Sequence, residues 1–199
     1  MTYAVAVRTL CEFTARAGDL DQRFTPAPSG LEGMAGHGVV TGRRGPAYET
    51  EVALSGQYEN LLVRGRADGY DPAANQLEEI KTYRGKLDSV RENHRAAHWA
   101  QARVYAHLLC QARGLTQVRV ALVYFNVTTE EETVLTESRD AAWLASNAGA
   151  SWRGRARNWR IARRATRRWN NWRFRTANSA AASASWRCPC TARRATAVA

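Results

Sequence analysis

The sequence has no acidic residue after Asp140, and this absence divides the chain into two parts. Residues 1–142 contain all 18 Asp and Glu together with 16 Lys and Arg, whereas residues 143–199 contain 13 Arg and no Lys. Six of the seven Trp also lie in the second part. The net charge of +11 therefore comes from residues 143–199, and it does not indicate a basic surface on residues 1–142.

Other features that the sequence lacks limit its function further. No apolar run approaches the ~20 residues that span a bilayer, and the N-terminus has no secretory signal pattern. The four Cys form no paired Cys-x-x-Cys motifs, which favours incidental thiols in a reducing cytoplasm over a zinc site. No Gly-x-x-x-x-Gly-Lys-Ser/Thr pattern is present, so the chain is not an ATPase of that type. We expect a cytoplasmic protein without a membrane segment.

The spacing of apolar residues predicts helices first and then strands. Predicted helices cover Val5–Ala17, Leu31–Arg43 and 93–113, the last with Asn93 as N-cap and Gly114 as C-cap. Predicted strands cover Glu51–Leu54, Leu61–Tyr70, Leu77–Thr82, Val118–Val127 and Thr133–Thr136, with a turn at Asp71–Asn75. This order predicts an α/β domain over residues 1–142, with a mixed sheet flanked by helices.

Three polar residues fall where two of the predicted strands meet. Asp68 ends one strand, and Glu79 and Lys81 share a face of the next strand because they are two residues apart. The tight turn between the strands predicts antiparallel pairing that brings Asp68 beside them. Carboxylates bind Mg²⁺ or Mn²⁺, which polarises a phosphoryl oxygen and activates water. A lysine beside them can position that water and stabilise the developing charge.

The residues around these positions resemble the motifs of RecB-like nucleases of the PD-(D/E)xK type. The resemblance rests on 65–69 (Gly-Arg-Ala-Asp-Gly), 79–81 (Glu-Ile-Lys) and 101–105 (Gln-Ala-Arg-Val-Tyr), and it spans about residues 5–142. It implies a restriction-endonuclease-like core and a metal-dependent enzyme that cuts DNA. It also implies that Gln101 and Tyr105 complete the site and contact DNA, and that His37 is a third metal ligand beside Asp68 and Glu79.

Each element alone has an ordinary structural explanation. Glu79 and Lys81 could lie on a solvated strand edge, Gln101 and Tyr105 could be a packing face, and His37 could be structural. Glu51 is either a further acidic participant or a surface residue. The alternative function is a catalytically weak nuclease-fold module that binds DNA for a helicase. The iron–sulfur members of this group have one Cys before the core and a group of three after it. Here Cys11 stands alone upstream and no matching group of three follows Tyr105, so we expect no cluster.

Residues 143–199 allow two interpretations. Interleaved Arg and Trp suit a nucleic-acid-binding tail, and the low complexity suits disorder. The genetic code offers the other: Trp is always TGG and Asn is AAT or AAC, so reading one base earlier converts each Asn-Trp pair to Leu. This applies at Asn158-Trp159 and Asn171-Trp172.

Decoded in that frame, residues 163–194 resemble the segment before the motor domain of DinG-like DNA helicases, some of which carry an N-terminal RecB-like nuclease domain. We therefore expect a reading-frame slip near residues 143–148, which makes the tail unselected sequence. The partner of the nuclease domain would be a helicase domain of the same polypeptide. Loss of the native continuation would leave the sheet around Val120, Leu122 and Tyr124 partly uncovered.

Overall fold

The computed structural model describes residues 3–15 and 28–147, all of which belong to one compact unit spanning residues 1–156. The tail predictions for residues 148–199, including those for Cys188 and Cys190, lie outside the described residues, as does the predicted helix end at Ala17. No helix in the described ranges is both long and apolar enough to cross a membrane.

The described elements alternate between helices and strands in the order expected of an α/β domain. They are β1 (Tyr3–Ala6), α1 (Val7–Thr14), α2 (Gly30–Gly42), β2 (Glu49–Tyr58), β3 (Leu61–Asp71), β4 (Gln76–Tyr83), a 3-10 turn (Leu87–Ser89), α3 (Glu92–Arg113), β5 (Gln117–Asn126) and β6 (Glu132–Asp140). Residues 141–147 are also helical.

The strands form one mixed sheet in the order β1-β3-β4-β5-β6, with β2 also paired to β3. The pairs β1–β3 and β4–β5 are parallel. The pairs β2–β3, β3–β4 and β5–β6 are antiparallel. The predicted α/β class, with a mixed sheet flanked by helices, is confirmed.

Helices cover both faces of the sheet. On one face, α1 and α3 pack with Leu77 in the larger apolar cluster. On the other, Val40 of α2 packs against Ile80, Val123 and Phe125. Successive residues of β4 therefore face opposite layers.

The expectation of an uncovered sheet is wrong for the described fold. Val120 and Leu122 are 0% exposed and Tyr124 is 1% exposed. The helix α3 contacts β5, and Leu144 from the 141–147 helix is fully buried in the same cluster. These helices supply the cover that the sequence did not reveal.

Several helix ends follow from local chemistry. Ser29 and Glu32 form a reciprocal capping box at the start of α2. Gly114 ends α3 in the left-handed region at φ 65°, as predicted. The N-cap of α3 is Arg91, so the prediction of Asn93 is wrong by two residues.

Two strands differ from their predictions, one because it was assigned to a helix and one because it was predicted too short. Residues 3–6 form a strand that pairs in parallel with 61–64, so the first helix starts at Val7 and not at Val5. The strand predicted at Thr133–Thr136 extends over Glu132–Asp140, because it pairs along the whole length of β5.

Candidate active site

The candidate site forms where backbone pairing between β3 and β4 stops. The two strands pair only from Gly69–Asp71 to Gln76–Glu78. One step further along, the Asp68 side chain takes over, since its Oδ2 accepts a hydrogen bond from the backbone N–H of Ile80 at 2.6 Å. Asp68 thus lies beside the Glu79-Ile80-Lys81 segment, as the strand–turn–strand pattern predicted.

A cleft of about 370 Å³ opens at this point. Five of the predicted site residues line it, namely His37, Asp68, Glu79, Lys81 and Gln101. They come from α2, β3, β4 and α3. Residues that are 64 positions apart in the chain therefore share one cavity.

Glu79, Lys81 and Gln101 form a chain of polar contacts in the cleft. Lys81 Nζ donates to Glu79 Oε1 at 2.6 Å and to Gln101 Oε1 at 3.4 Å. Glu79 is 1% exposed, and its Oε2 has no hydrogen-bond partner among the described residues. Burial raises the pKa of Glu79 to about 7, although the charge of Lys81 acts in the opposite direction.

Asp68 faces His37 across the cleft. His37 Nδ1 lies 3.6 Å from Asp68 Oδ1, and the Asp68 side chain is 19% exposed. Burial raises the pKa of Asp68, while the charges of Lys81 and His37 and the N–H of Ile80 lower it. The second oxygen of Asp68 is therefore turned towards a residue that was predicted as a metal ligand.

Tyr105 does not line the cleft. It is 4% exposed and lies against β3, where a Cβ added at Gly65 would come within 2.6 Å of its hydroxyl oxygen. Its side chain interacts with Gln101, and burial raises its pKa. This position suits support of Gln101, and the DNA contact expected of Tyr105 stays a prediction.

Glu51 of β2 lies opposite Asp68 of the neighbouring strand β3, but it does not line the cleft. Its neighbours Thr50 and Val52 pair with Gly69 and Ala67, while Glu51 itself has a left-handed φ of 53°. Its carboxylate pairs with Arg66 at 3.0 Å and is 67% exposed. The surface interpretation of Glu51 fits this geometry.

Several cleft residues were not predicted from sequence: Arg8, Cys11 and Glu12 of α1, and His94 and His98 of α3. A signal for the α3 residues was present, because His94, His98 and Gln101 follow one another at helical spacing on one face. The α1 residues had no comparable link to Gln101, since only the folded sheet brings α1 and α3 together.

His98 is held neutral inside the cleft wall. Its Nδ1 lies 3.0 Å from the Tyr124 hydroxyl. The pKa of His98 is lowered to about 3, chiefly by burial, with the nearby charges of Lys81, His94 and Arg8 acting in the same direction. An uncharged ring between cationic neighbours is suited to packing and hydrogen bonding.

The donor set fits a hard divalent cation that keeps part of its hydration. In residues 3–15 and 28–147, no three His, Cys, Asp or Glu side chains are grouped closely enough to hold a metal by themselves. Mg²⁺ is usually bound through one or two carboxylates, with waters and substrate phosphates completing its shell. The unpartnered Oε2 of Glu79 and the Oδ1 of Asp68 offer such a pair.

Comparisons with known proteins add little to this site. No family model matches the chain, and no curated protein sequence matches it. Among solved structures, SSO0001 is 22% identical with TM-score 0.45, covering 76% of each chain. An alkaline exonuclease from Laribacter hongkongensis is 12% identical with TM-score 0.42, covering 82% of this chain and 94% of its own.

A phage-related exonuclease from Haemophilus somnus 129PT is 14% identical with TM-score 0.39, covering 73% of this chain and 75% of its own. At these TM-scores the likeness supports no conclusion about what this chain acts on. The case for function therefore depends on the residues of the cleft.

Proposed function

We propose that residues 1–142 form a RecB-like nuclease domain of the PD-(D/E)xK type that hydrolyses phosphodiester bonds in DNA with Mg²⁺ or Mn²⁺. One observation carries the proposal: Asp68, Glu79 and Lys81 meet in a single cleft, where a buried carboxylate oxygen of Glu79 lacks a partner. A buried acceptor without a partner is costly, and a bound cation would satisfy it.

In this proposal the two carboxylates hold the metal, and His37 stands at the open side of Asp68. A bound divalent ion supplies Lewis-acid polarisation of the phosphoryl group and lowers the pKa of attacking water. Lys81 Nζ, fixed between Glu79 and Gln101, orients the attacking water and offsets charge on the phosphate. Tyr105 acts through Gln101 as a positioning residue.

The test is cleavage of end-labelled single- and double-stranded DNA, with an RNA strand for comparison, by the full chain in Mg²⁺, Mn²⁺ or EDTA. We expect metal-dependent cleavage that falls on the order of 100-fold or more in Lys81→Met, Asp68→Asn and Glu79→Gln. Lys86→Met and Asp88→Asn remove the same charges at exposed positions outside the cleft and should retain activity.

The alternative of a binding module gives a different result. DNA binding by the wild-type chain, with no cleavage in either metal, would replace the nuclease with a module that grips DNA. Equal cleavage by wild type and the Lys81 and Glu79 variants would remove this site from the mechanism altogether.

We further propose that this domain belongs at the N-terminus of a DNA helicase, and that residues 143–199 are the product of a reading-frame slip. The support is the coding argument at the two Asn-Trp pairs and the absence of acidic residues in that segment. Sequencing the coding DNA tests it directly. A frame read one base earlier should continue without stop codons into a nucleotide-binding loop, and stop codons there would overturn the proposal.

A further inference from the structure

The cleft is also lined by basic side chains from two helices. Arg8 of α1 and His94 of α3 both line it. The Arg8 side chain is 76% exposed, and within residues 3–15 and 28–147 only its Nε is engaged, by Glu12 Oε1 at 2.7 Å. The outer nitrogens of this guanidinium are therefore available to a group that enters the cleft.

His94 is the unusual member of this pair. It is 9% exposed, and its Nε2 has no hydrogen-bond partner among the described residues. A buried ring nitrogen without a partner costs free energy, and such groups are rare in folded proteins. His94 also lines the cleft, so a group bound there lies beside this side chain.

The start of α3 lies beside His94, whose own backbone N–H already donates to Arg91 O and Asn93 Oδ1. His94 is the third residue of the 22-residue helix α3, whose N-cap residue Arg91 makes no side-chain capping hydrogen bond. The first turn of a long helix carries partial positive charge and attracts phosphate groups. Lys81 and Arg8 both act on His98, one turn further along α3, so this part of the cleft is within reach of two cations.

We propose that Arg8, His94 and the first turn of α3 form a subsite for a phosphate of the nucleic-acid strand, next to the phosphodiester that reacts. This inference rests on the proposed function and names how the strand is held. The arrangement of the cleft supports it: Asp68 and Glu79 lie on β3 and β4, whereas Arg8 and His94 lie on α1 and α3, with the Glu12 carboxylate held at Arg8 Nε.

The experiment is binding of a fluorescent single-stranded oligonucleotide to the full chain in EDTA, where cleavage does not occur and metal bridges are absent. His94→Leu should weaken binding about tenfold, the effect of one hydrogen bond to a charged group. His94→Gln retains a donor at a similar position and should restore most of the affinity. Arg8→Met should reduce the slope of log affinity against log salt by about one phosphate contact.

Two controls separate this role from a structural one. Arg119→Met removes an exposed arginine on β5 outside the cleft, and it should leave both affinity and salt slope unchanged. His94→Leu removes a buried Nε2 that has no partner in the described part of the chain, so its Tm should equal or exceed that of the wild type. A lower Tm together with weaker binding in His94→Leu would assign His94 to the fold and overturn its part in the subsite.

The outcomes also separate the subsite from the nuclease proposal. Wild-type affinity and salt slope in both His94→Leu and Arg8→Met would overturn the subsite, even if the chain cleaves DNA. Weaker binding in these variants, in a chain that cleaves nothing, would keep the subsite and remove the nuclease.

Discussion

Glu79 is the most deeply buried acid of the cleft, and its charge state depends on what occupies the site. Burial raises its pKa to about 7, while Lys81 at 2.6 Å favours the ionised form. Near neutral pH, the metal-free side chain is therefore divided between its protonated and ionised forms. A cation bound to its free oxygen would shift it to the carboxylate.

This gives a prediction for metal affinity. Below pH 7 a metal must displace a proton from Glu79, so Mg²⁺ or Mn²⁺ affinity should fall by up to about tenfold per pH unit, and it should level off above pH 7. Calorimetric titration in buffers of different ionisation enthalpy measures the proton released. Glu79→Gln should bind weakly with no proton release attributable to this site, and an unchanged pH profile in that variant would contradict the assignment.

His98 gives a prediction for the pH dependence of folding stability. Its pKa is lowered from 6.5 to about 3, chiefly by burial, so below pH 6.5 the unfolded chain takes up a proton that the fold resists. Its contribution to stability is therefore present above pH 6.5 and is lost as the pH falls towards 3. His98→Asn keeps a polar atom near the Tyr124 hydroxyl and does not titrate.

Urea unfolding at several pH values measures the difference between wild type and His98→Asn. Relative to its value at pH 7, the wild type should lose up to about 2 kcal/mol more than the variant at pH 5. Parallel curves for the two proteins from pH 7 to pH 5 would show that His98 is protonated in the folded chain.

At the level of elements, Gly36 allows α2 to pack closely against the sheet. A Cβ added at Gly36 would lie 2.7 Å from Thr82 Cγ2 and 3.0 Å from Phe125 Cδ1. Gly36 directly precedes His37. The close packing of α2 against β4 at Gly36 therefore also fixes the distance between His37 and Asp68.

Gly36→Ala should therefore cost about 1–3 kcal/mol of stability through overpacking, and it should reduce cleavage more than DNA binding. Gly38→Ala is the matched control in the same helix, because a Cβ there meets nothing within 4 Å. It should raise stability by about 0.5–1 kcal/mol, since alanine is the better helix former. Chemical unfolding of both variants measures these effects, and equal stabilities would contradict the packing argument.

The elements that the sequence predicted well have strong local patterns. β4 and α3 are of this kind: Leu77–Thr82 is bounded by a turn, and Gly114 ends the helix where its left-handed φ is needed. The strand β1 was missed because its four residues are defined only by pairing with β3, a contact about 58 residues away in the chain. Local propensity carries no information on such a partner.

The residues of the candidate site likewise differ in whether they could be predicted from local sequence. Asp68, Glu79 and Lys81 could be placed together because one turn joins their strands. Arg8 and His94 could not, since the packing of α1 against α3 decides that they share a cleft. The burial of Tyr105 also depends on a long-range contact, with Gly65 on β3.

For the whole molecule, much of the positive charge lies in a different part of the sequence from the residues of the cleft. Residues 157–199 contain 11 of the 29 Lys and Arg, whereas the cleft lies entirely within residues 1–142. The boundary at residue 142 stays a prediction. Leu144 is fully buried in the main apolar cluster, so a shortened chain should keep the residues just beyond that boundary.

Deletion of residues 157–199 should therefore leave metal-dependent cleavage in place, while the salt dependence of DNA binding decreases as basic residues are lost. Cleavage and salt titrations of the full and shortened chains measure both quantities. Loss of all DNA binding on deletion, with an unchanged Tm, would mean that the tail and not the cleft binds nucleic acid.

The Asp68 carboxylate has two roles. Its Oδ2 accepts a hydrogen bond from the backbone of Ile80 in the sheet, and its Oδ1 lies near His37 in the cleft. Asparagine can fulfil the first with its carbonyl oxygen, whereas alanine fulfils neither. In related chains that keep the fold without a bound metal, Asn should therefore be tolerated at position 68 and Ala should be disfavoured. Asn at this position would indicate that the sheet is still under selection, whereas Ala would indicate that it is not.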